Sequence, residues 1–412
     1  SVSMPDTPLL PVFYHFLLEP YKREKPFLAT LEMGGVLSAD LEVEGDGEDW
    51  TLKGHSRWRE GKLSSVDGAF SLQGIDLDLP LWYRLSFAGD PSGDRGKKEN
   101  PATHGAPVKE EALEGNLSIQ SMNLPVIPGQ PLSLPLTATP NGLSVVTPTK
   151  VKLAGGEIEV GPIACRILPK AAPSLVTSLT FKNLDLAPLL SKIWPRPVQG
   201  FAQGRLDPVR LEGHEVRSRG EISVGAFGGE VLISNLAASG IFTSAPLFHV
   251  DAECRNLHMA ELTKETSFGK IEGLMEGHIK NLEIAYGQPQ RFDLLLETIE
   301  REGIPQKISV RAVDNIAQIG GGHSPFIGMA GVLTSFLREF PYEKIGIRAS
   351  LGNDVFRING TIKEGGKEYI IKRGGFSGVN VVNQNPDNLI SFKDMVKRIR
   401  RVTGSKSGPV VK

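Results

Sequence analysis

Cysteine is scarce: two residues in a chain of 412 make no disulfide framework. Cys165 and Cys254 have no metal-ligand spacing around them and read as small, half-buried apolar side chains. Neither sign of charge is in excess. The formal net charge is −1, so the basic face that nucleic-acid binding normally needs is missing. No run approaches the ~20 apolar residues of a membrane-spanning helix, and no signal peptide is visible. A start at Ser1 reads as an excised or processed chain.

Catalytic patterns are missing too. The eight histidines are scattered, with no His-Glu-x-x-His or other metal spacing. No Gly-x-Ser-x-Gly elbow occurs, and Gly375-Phe376-Ser377-Gly378 is one residue short of one. Phe268-Gly269-Lys270 lacks the upstream glycine of a phosphate loop. Gly320-Gly321-Gly322-His323-Ser324 resembles an oxyanion loop, but three glycines more simply let a chain leave a strand and enter a helix. The expectation is a protein that is not an enzyme and needs no metal or cofactor.

What the chain does have is glycine, proline and alternation. With 46 Gly, 29 Pro and 40% hydrophobic residues, it suits many short strands separated by turns around a large core. Residues 1–88 read as β-rich. The runs Phe27–Met33 and Val36–Val43 alternate, with Gly34-Gly35 as the hairpin turn between them. Residues 89–112 are polar and rich in Gly and Pro, and read as a flexible loop or linker. Strands resume over 113–375, interrupted by a predicted helix at 324–339. The segment 376–412 closes with a basic amphipathic helix at 391–402.

One unit is duplicated. Asn183-Leu184-Asp185-Leu186-Ala187-Pro188-Leu189 returns as Asn256-Leu257-His258-Met259-Ala260-Glu261-Leu262, 73 residues later. Val198–Leu206 returns as Ile271–Ile279 at the same offset. Duplicated supersecondary units usually stack into long sheets or solenoids. The glycines of these strands, Gly200, Gly204, Gly273 and Gly277, mark bending or close approach of another chain. A sheet bent at repeated glycines curls. Its apolar side is then either filled by a second layer, as in a sandwich, or left open as a groove. The predicted fold is mostly β: a long, curled, antiparallel, taco-like sheet with a few short helices near the C-terminus.

Alternation nominates the groove lining. The candidates are Val198, Ala202 and Leu206, then Ile222 and Val224, then Ile271, Met275 and Ile279. They continue with Phe292, Leu294 and Leu296, then Ile308 and Val310 on a strand over 308–312. Ile345, Ile347, Phe356 and Ile358 complete the set. Phe326, Met329, Leu333 and Phe336 on the predicted helix are candidates for a plug. Lys393, Lys397, Arg398, Arg400 and Arg401 are candidates for contact with a membrane surface or a partner.

The run from Asn183 to Ile371 resembles the carboxy-terminal part of the AsmA-like proteins, the group that includes TamB and YdbH. The likeness rests on the Asn-Leu-x-x-Ala-x-Leu opening and the Val/Ile-x-Gly-x-x-x-Gly-x-Leu/Ile strand. It also rests on Val310–Ile316 leading to the Gly320–Gly322 turn, and on the Phe356–Gly360 strand with its closing basic segment. Residues 1–174 match in β-rich character alone. The resemblance implies a periplasmic protein of a double-membraned bacterium, tethered to the inner membrane by a segment absent here. It also implies a groove that carries phospholipid acyl chains toward the outer membrane, meeting a membrane surface or envelope membrane proteins at its ends. Two rivals remain. One is an envelope scaffold with a closed β-sandwich core and no lipid path. The other is a carbohydrate-binding or carbohydrate-degrading β-protein using Trp50, Trp58, Trp82 and Trp194.

Overall fold

The structure, a computed structural model, describes residues 1–23, 26–45, 49–68, 70–86, 112–123, 131–140, 142–167, 172–191, 197–241, 243, 245–264, 266, 268–319, 339–376, 378–384, 386, 389–392, 394 and 396. The chain is mostly β and its sheet pairings are antiparallel, with a few short helices, as expected. It divides into two compact units. The first holds residues 1–180, 207–216 and 240–244, and the second holds 181–206, 217–239 and 245–412. The 89–112 segment lies outside the described residues except for Ala112.

In the first unit, β1 (Val2–Pro8) runs into a helical stretch made of α1 (Leu9–Val12), a π-helical turn (Phe13–Leu18) and α2 (Glu19–Tyr21). Long strands follow: β2 (Leu31–Gly45), β3 (Asp49–Ser65), β4 (Ser71–Ser86) and β5 (Leu113–Asn123). Then come β6 (Leu132–Thr139), β7 (Gly142–Val145), β8 (Thr149–Leu153), β9 (Gly156–Val160) and β10 (Ile163–Arg166).

The expected hairpin at Gly34-Gly35 is absent, because β2 runs straight through both glycines with a bulge. Gly35 has φ of 113°, and a Cβ there would come within 2.7 Å of the Arg59 carbonyl oxygen. The Trp58 indole N–H donates to the Gly34 carbonyl at 2.9 Å. Glycine here accommodates an extra residue and a close neighbour rather than a reversal. The run beginning at Phe27 is also not a strand. Pro26–Thr30 forms a 3₁₀ turn, which the fixed φ of Pro26 favours and the Thr30 hydroxyl closes by donating to the Phe27 carbonyl at 2.7 Å.

Duplication governs the next region. β11 (Ser174–Asp185), α3 (Leu186–Leu190), β12 (Gly200–Glu212) and β13 (Glu215–Ala226) precede β14 (Gly229–Ser239). β15 (Leu247–His258), α4 (Met259–Thr263), β16 (Leu274–Ala285) and β17 (Gln288–Ile299) repeat the first four. Strand, helix and third-strand boundaries recur 73 residues on. Asn183 and Asn256 both adopt left-handed backbone, φ 49° and 52°, a conformation asparagine tolerates better than most residues. The first residue of each short helix, Leu186 or Met259, is buried.

The copy breaks after β17. β18 (Lys307–Ser309) is three residues long, and α5 (Val310–Ile319) starts where the alternation predicted a continuing strand. Ala312, Val313, Ile316 and Ala317 fall on one helical face, a spacing that a strand would split between two sides. The Ser309 hydroxyl accepts the Ala312 N–H at 3.3 Å, capping the helix. β19 (Glu339–Gly352) then pairs with β17. It is followed by β20 (Val355–Gly360), β21 (Ile362–Glu364), β22 (Lys367–Arg373), β23 (Val381–Val382) and β24 (Ile390–Ser391). Residues 324–338 of the predicted helix lie outside the described residues, and Glu339 belongs to β19. Of the predicted closing helix, Phe392, Asp394 and Val396 are described as helical, while Ser391 belongs to β24.

Candidate functional site

The predicted lining residues of the second unit are divided among packed clusters. Ile271, Met275, Ile308 and Ile345 are buried in the main core against α5, where Ala312 and Val313 are both 0% exposed. Leu296, Val310 and Ile347 pack on the margin of that core. Val310 therefore contributes as the first residue of a helix and not as a strand residue. Phe292, Phe356 and Ile358 form a second cluster, with Ile279 and Leu294 against it. The Phe292 and Phe356 rings meet edge-on, centroids 6.2 Å apart. Val198, Ala202 and Leu206 are buried, and Ile222 and Val224 are half-buried. Phe326, Met329, Leu333 and Phe336, and Lys393, Lys397, Arg398, Arg400 and Arg401, lie outside the described residues.

Polar tethers fix α5 and the segments around it. Asn315 is buried and donates to the Phe268 carbonyl at 2.6 Å. The Thr263 hydroxyl donates to the Met259 carbonyl at 2.7 Å and accepts the Ile271 N–H at 3.2 Å. Tyr342 donates to the Glu272 carbonyl at 2.5 Å, and burial pushes its phenol far above the ordinary range. Beside α5 lies an apolar hollow of about 160 Å³ walled by Met259, Leu262, Phe268, Ile271, Met275, Leu296, Ile316, Ile345 and Ile347. Its two polar neighbours are satisfied. Thr298 accepts the Ile345 N–H at 2.8 Å, and Glu297 pairs with Lys344 at 3.1 Å. Burial works to raise the Glu297 pKa, but hydrogen bonding and the Lys344 charge outweigh it and hold the carboxyl below its ordinary value. A dry apolar void of this size takes a small apolar group, not a whole lipid.

The first unit is built differently. The register sets Leu37 beside Trp58, Trp58 beside Leu77, Leu77 beside Leu117, and Leu117 beside Leu134. Two residues along, Ala39 meets Ser56 and Ser56 meets Leu79. Further rows join Leu41, Gly54 and Leu81, then Val43, Leu52 and Tyr83. Alternation places all of these on one face. Leu37, Leu41, Leu52, Leu77, Leu79 and Leu81 are each only half-buried, and Val43 is exposed. Gly54 lies within this face because a Cβ there would sit 2.1 Å from the Asp40 carbonyl oxygen.

The opposite face is ionic. Arg57 pairs with Asp40 at 2.8 Å and lies 3.7 Å from Asp78. His55 meets Asp78 at 2.8 Å, and the Lys53 ammonium sits 4.5 Å from the Trp82 ring centroid. The polar side is thus ion-paired, apart from the buried Trp82 indole N–H, which has no hydrogen-bond partner among the described residues, while the leucines of the apolar side remain partly exposed. The alternation Leu77-Asp78-Leu79-Pro80-Leu81 was the available signal for this face. The lining candidates nominated from sequence all lay between 198 and 358, outside this face.

Among the described residues no group of three or more His, Cys, Asp or Glu is placed to hold a metal ion. Burial raises the thiol pKa of both Cys165 and Cys254, which disfavours the reactive thiolate. Among the described residues no helix is long and apolar enough to cross a membrane. No protein-family model, no curated protein and no solved structure matches the chain.

Proposed function

We propose that this protein is a non-enzymatic carrier of lipid acyl chains, and that the β2–β5 face of the first unit is where the chains lie. The half-buried leucine rows of that face carry the proposal, since they are paired, in register and backed by an ion-paired surface. Contiguous apolar surface of this kind on a soluble fold marks a binding surface. Each methylene moved from water onto it gains about 0.8 kcal/mol. A strand of 17 residues such as β3 extends about 56 Å at ~3.3 Å per residue, longer than the ~30 Å hydrocarbon core of a bilayer. Acyl chains need no specific polar partner there, so headgroups stay in water. The resemblance to the AsmA-like group leads us to place the carrier in a bacterial envelope, moving phospholipid between membranes.

The α5-filled core favours the scaffold alternative for the second unit, where Ile271, Met275, Ile308 and Ile345 pack against α5 around the 160 Å³ hollow. Mass spectrometry of lipid copurified with the intact chain tests the proposal. We expect phospholipid with the wild-type protein and a marked loss with Leu79→Asp. A lipid-free wild type, or unchanged lipid in the variant, would support the scaffold.

A further inference from the structure

Among the described residues, three strand-to-strand crossings besides the one that holds α5 contain short helices, and they provide internal controls for one another. In α3 and α4, five residues suffice: the first is buried, and neither helix exposes a large hydrophobic residue. The crossing from β1 to β2 begins the same way, with Leu9 and Phe13 buried against the unit. It then continues to Tyr21 and leaves Leu10, Tyr14, Phe16, Leu17 and Tyr21 exposed, with Phe16 at 71% and Leu10 at 59%. Leu10, Tyr14, Leu17 and Tyr21 recur at i, i+4, i+7 and i+11, and together with Phe16 they form the exposed apolar stripe of this stretch, which the wider π-helical turn over Phe13–Leu18 broadens. Leu9 and Phe13 already seal the crossing, so this second stripe is surplus to folding.

Charge selects the occupant. Between residues 9 and 23 the only carboxylate is Glu19, which Lys22 holds at 2.9 Å. Arg23 and His15 are exposed beside it. The segment thus presents aliphatic and phenyl groups together with two tyrosines, whose rings suit an interface with one apolar and one wet side, and an excess of cation. We infer that the Leu9–Tyr21 stretch docks the protein on an anionic lipid bilayer, lying in the interface with the Leu10–Tyr21 stripe inward. This inference does not depend on the β2–β5 face carrying lipid.

Flotation of the full chain with vesicles of phosphatidylcholine and phosphatidylglycerol tests it, with pure phosphatidylcholine vesicles as the charge control. Phe16→Ser combined with Leu17→Ser removes two of the five exposed groups while sparing Leu9 and Phe13. Phe376→Ser, at a fully exposed site in the second unit, controls for hydrophobicity alone. The expected result is wild-type flotation that is weaker without phosphatidylglycerol, a loss of at least about tenfold in the double variant, and no change in the control. Failure of the wild type to float, or equal flotation of the double variant, would overturn the inference. So would a self-association, seen by sedimentation, that the double variant abolishes without altering flotation, since a second copy would then be the occupant. Copurified lipid measured in the same variants separates the two proposals. Lipid retained when flotation is lost leaves the acyl-chain face intact, and flotation without copurified lipid leaves only the docking stretch.

Discussion

The two units solve the same problem in opposite ways. In the second, an apolar sheet face is covered by α5, with Ala312, Val313, Ile316 and Ala317 interlocked against Ile271, Ile308, Ile345 and Ile371. In the first, rows of leucine stand in register on strands of 15 to 17 residues and remain half in water. Ile75 and Ile119, two residues along from Leu77 and Leu117, are buried, and Trp58 and Leu117 pack against their cluster at one end of the rows. A face that is covered contributes stability, and a face that stays open retains apolar surface for something else. Hydrophobic residues at strand spacing therefore do not distinguish core from binding surface. What distinguishes them is whether a neighbouring element lies over them.

Substitutions can break this contrast. Val313→Asp places a carboxylate in the sealed core without a partner and should destabilise the second unit by more than about 4 kcal/mol. The corresponding change in the open face, Leu79→Asp, should leave the unfolding midpoint nearly unchanged. Urea titration followed by circular dichroism compares the two, and equal losses would mean that the faces do not differ. Ile316→Ala, a truncation inside the core, should cost about 2–5 kcal/mol. Leu77→Ala in the open face should cost clearly less by the same titration, because its side chain already meets water.

Backbone fit gives a smaller effect. Gly54→Ala forces a Cβ against the Asp40 carbonyl at a residue with φ of 150° and should cost about 1–3 kcal/mol in thermal unfolding. A neutral result there would show that β2 and β3 can separate without penalty. The smallest effect concerns pH. The Glu297 carboxyl in the folded protein lies below its ordinary 4.5. Its contribution is therefore complete above 4.5 and is lost as pH falls through the folded value. The pair is partly exposed, so the contribution should be under about 1 kcal/mol. Glu297→Gln should flatten the acid limb of the stability curve, and an unchanged limb would remove Glu297 from the account.

Part of this was legible in the sequence. The 73-residue offset, found from a few matched letters, reappears in the boundaries of β11 and β15, of α3 and α4, and of β13 and β17. Local repetition survives because each copy makes the same nearest-neighbour contacts. Gly34-Gly35 was ambiguous because a glycine pair suits a turn or a bulge equally, and the choice depends on Trp58, 24 residues away. Ile308–Ala312 fits a strand over five residues, and its helical character emerges only when Val313, Ile316 and Ala317 are counted with it. The open face was misplaced for a more general reason. Alternation records which residues share a side and carries no information about what covers that side. The helical stretch after β1 contains Pro11 and Pro20, which argue against a helix locally, yet its tertiary anchors Leu9 and Phe13 prevail.

A photo-cross-linking residue placed at Leu79, and separately at Val313, tests the central claim most directly when irradiated in cells and analysed for lipid adducts. Lipid attached at position 79 and absent at 313 is the predicted result. Adducts at neither position, or equally at both, would contradict an uncovered acyl-chain face in the first unit beside a sealed core in the second.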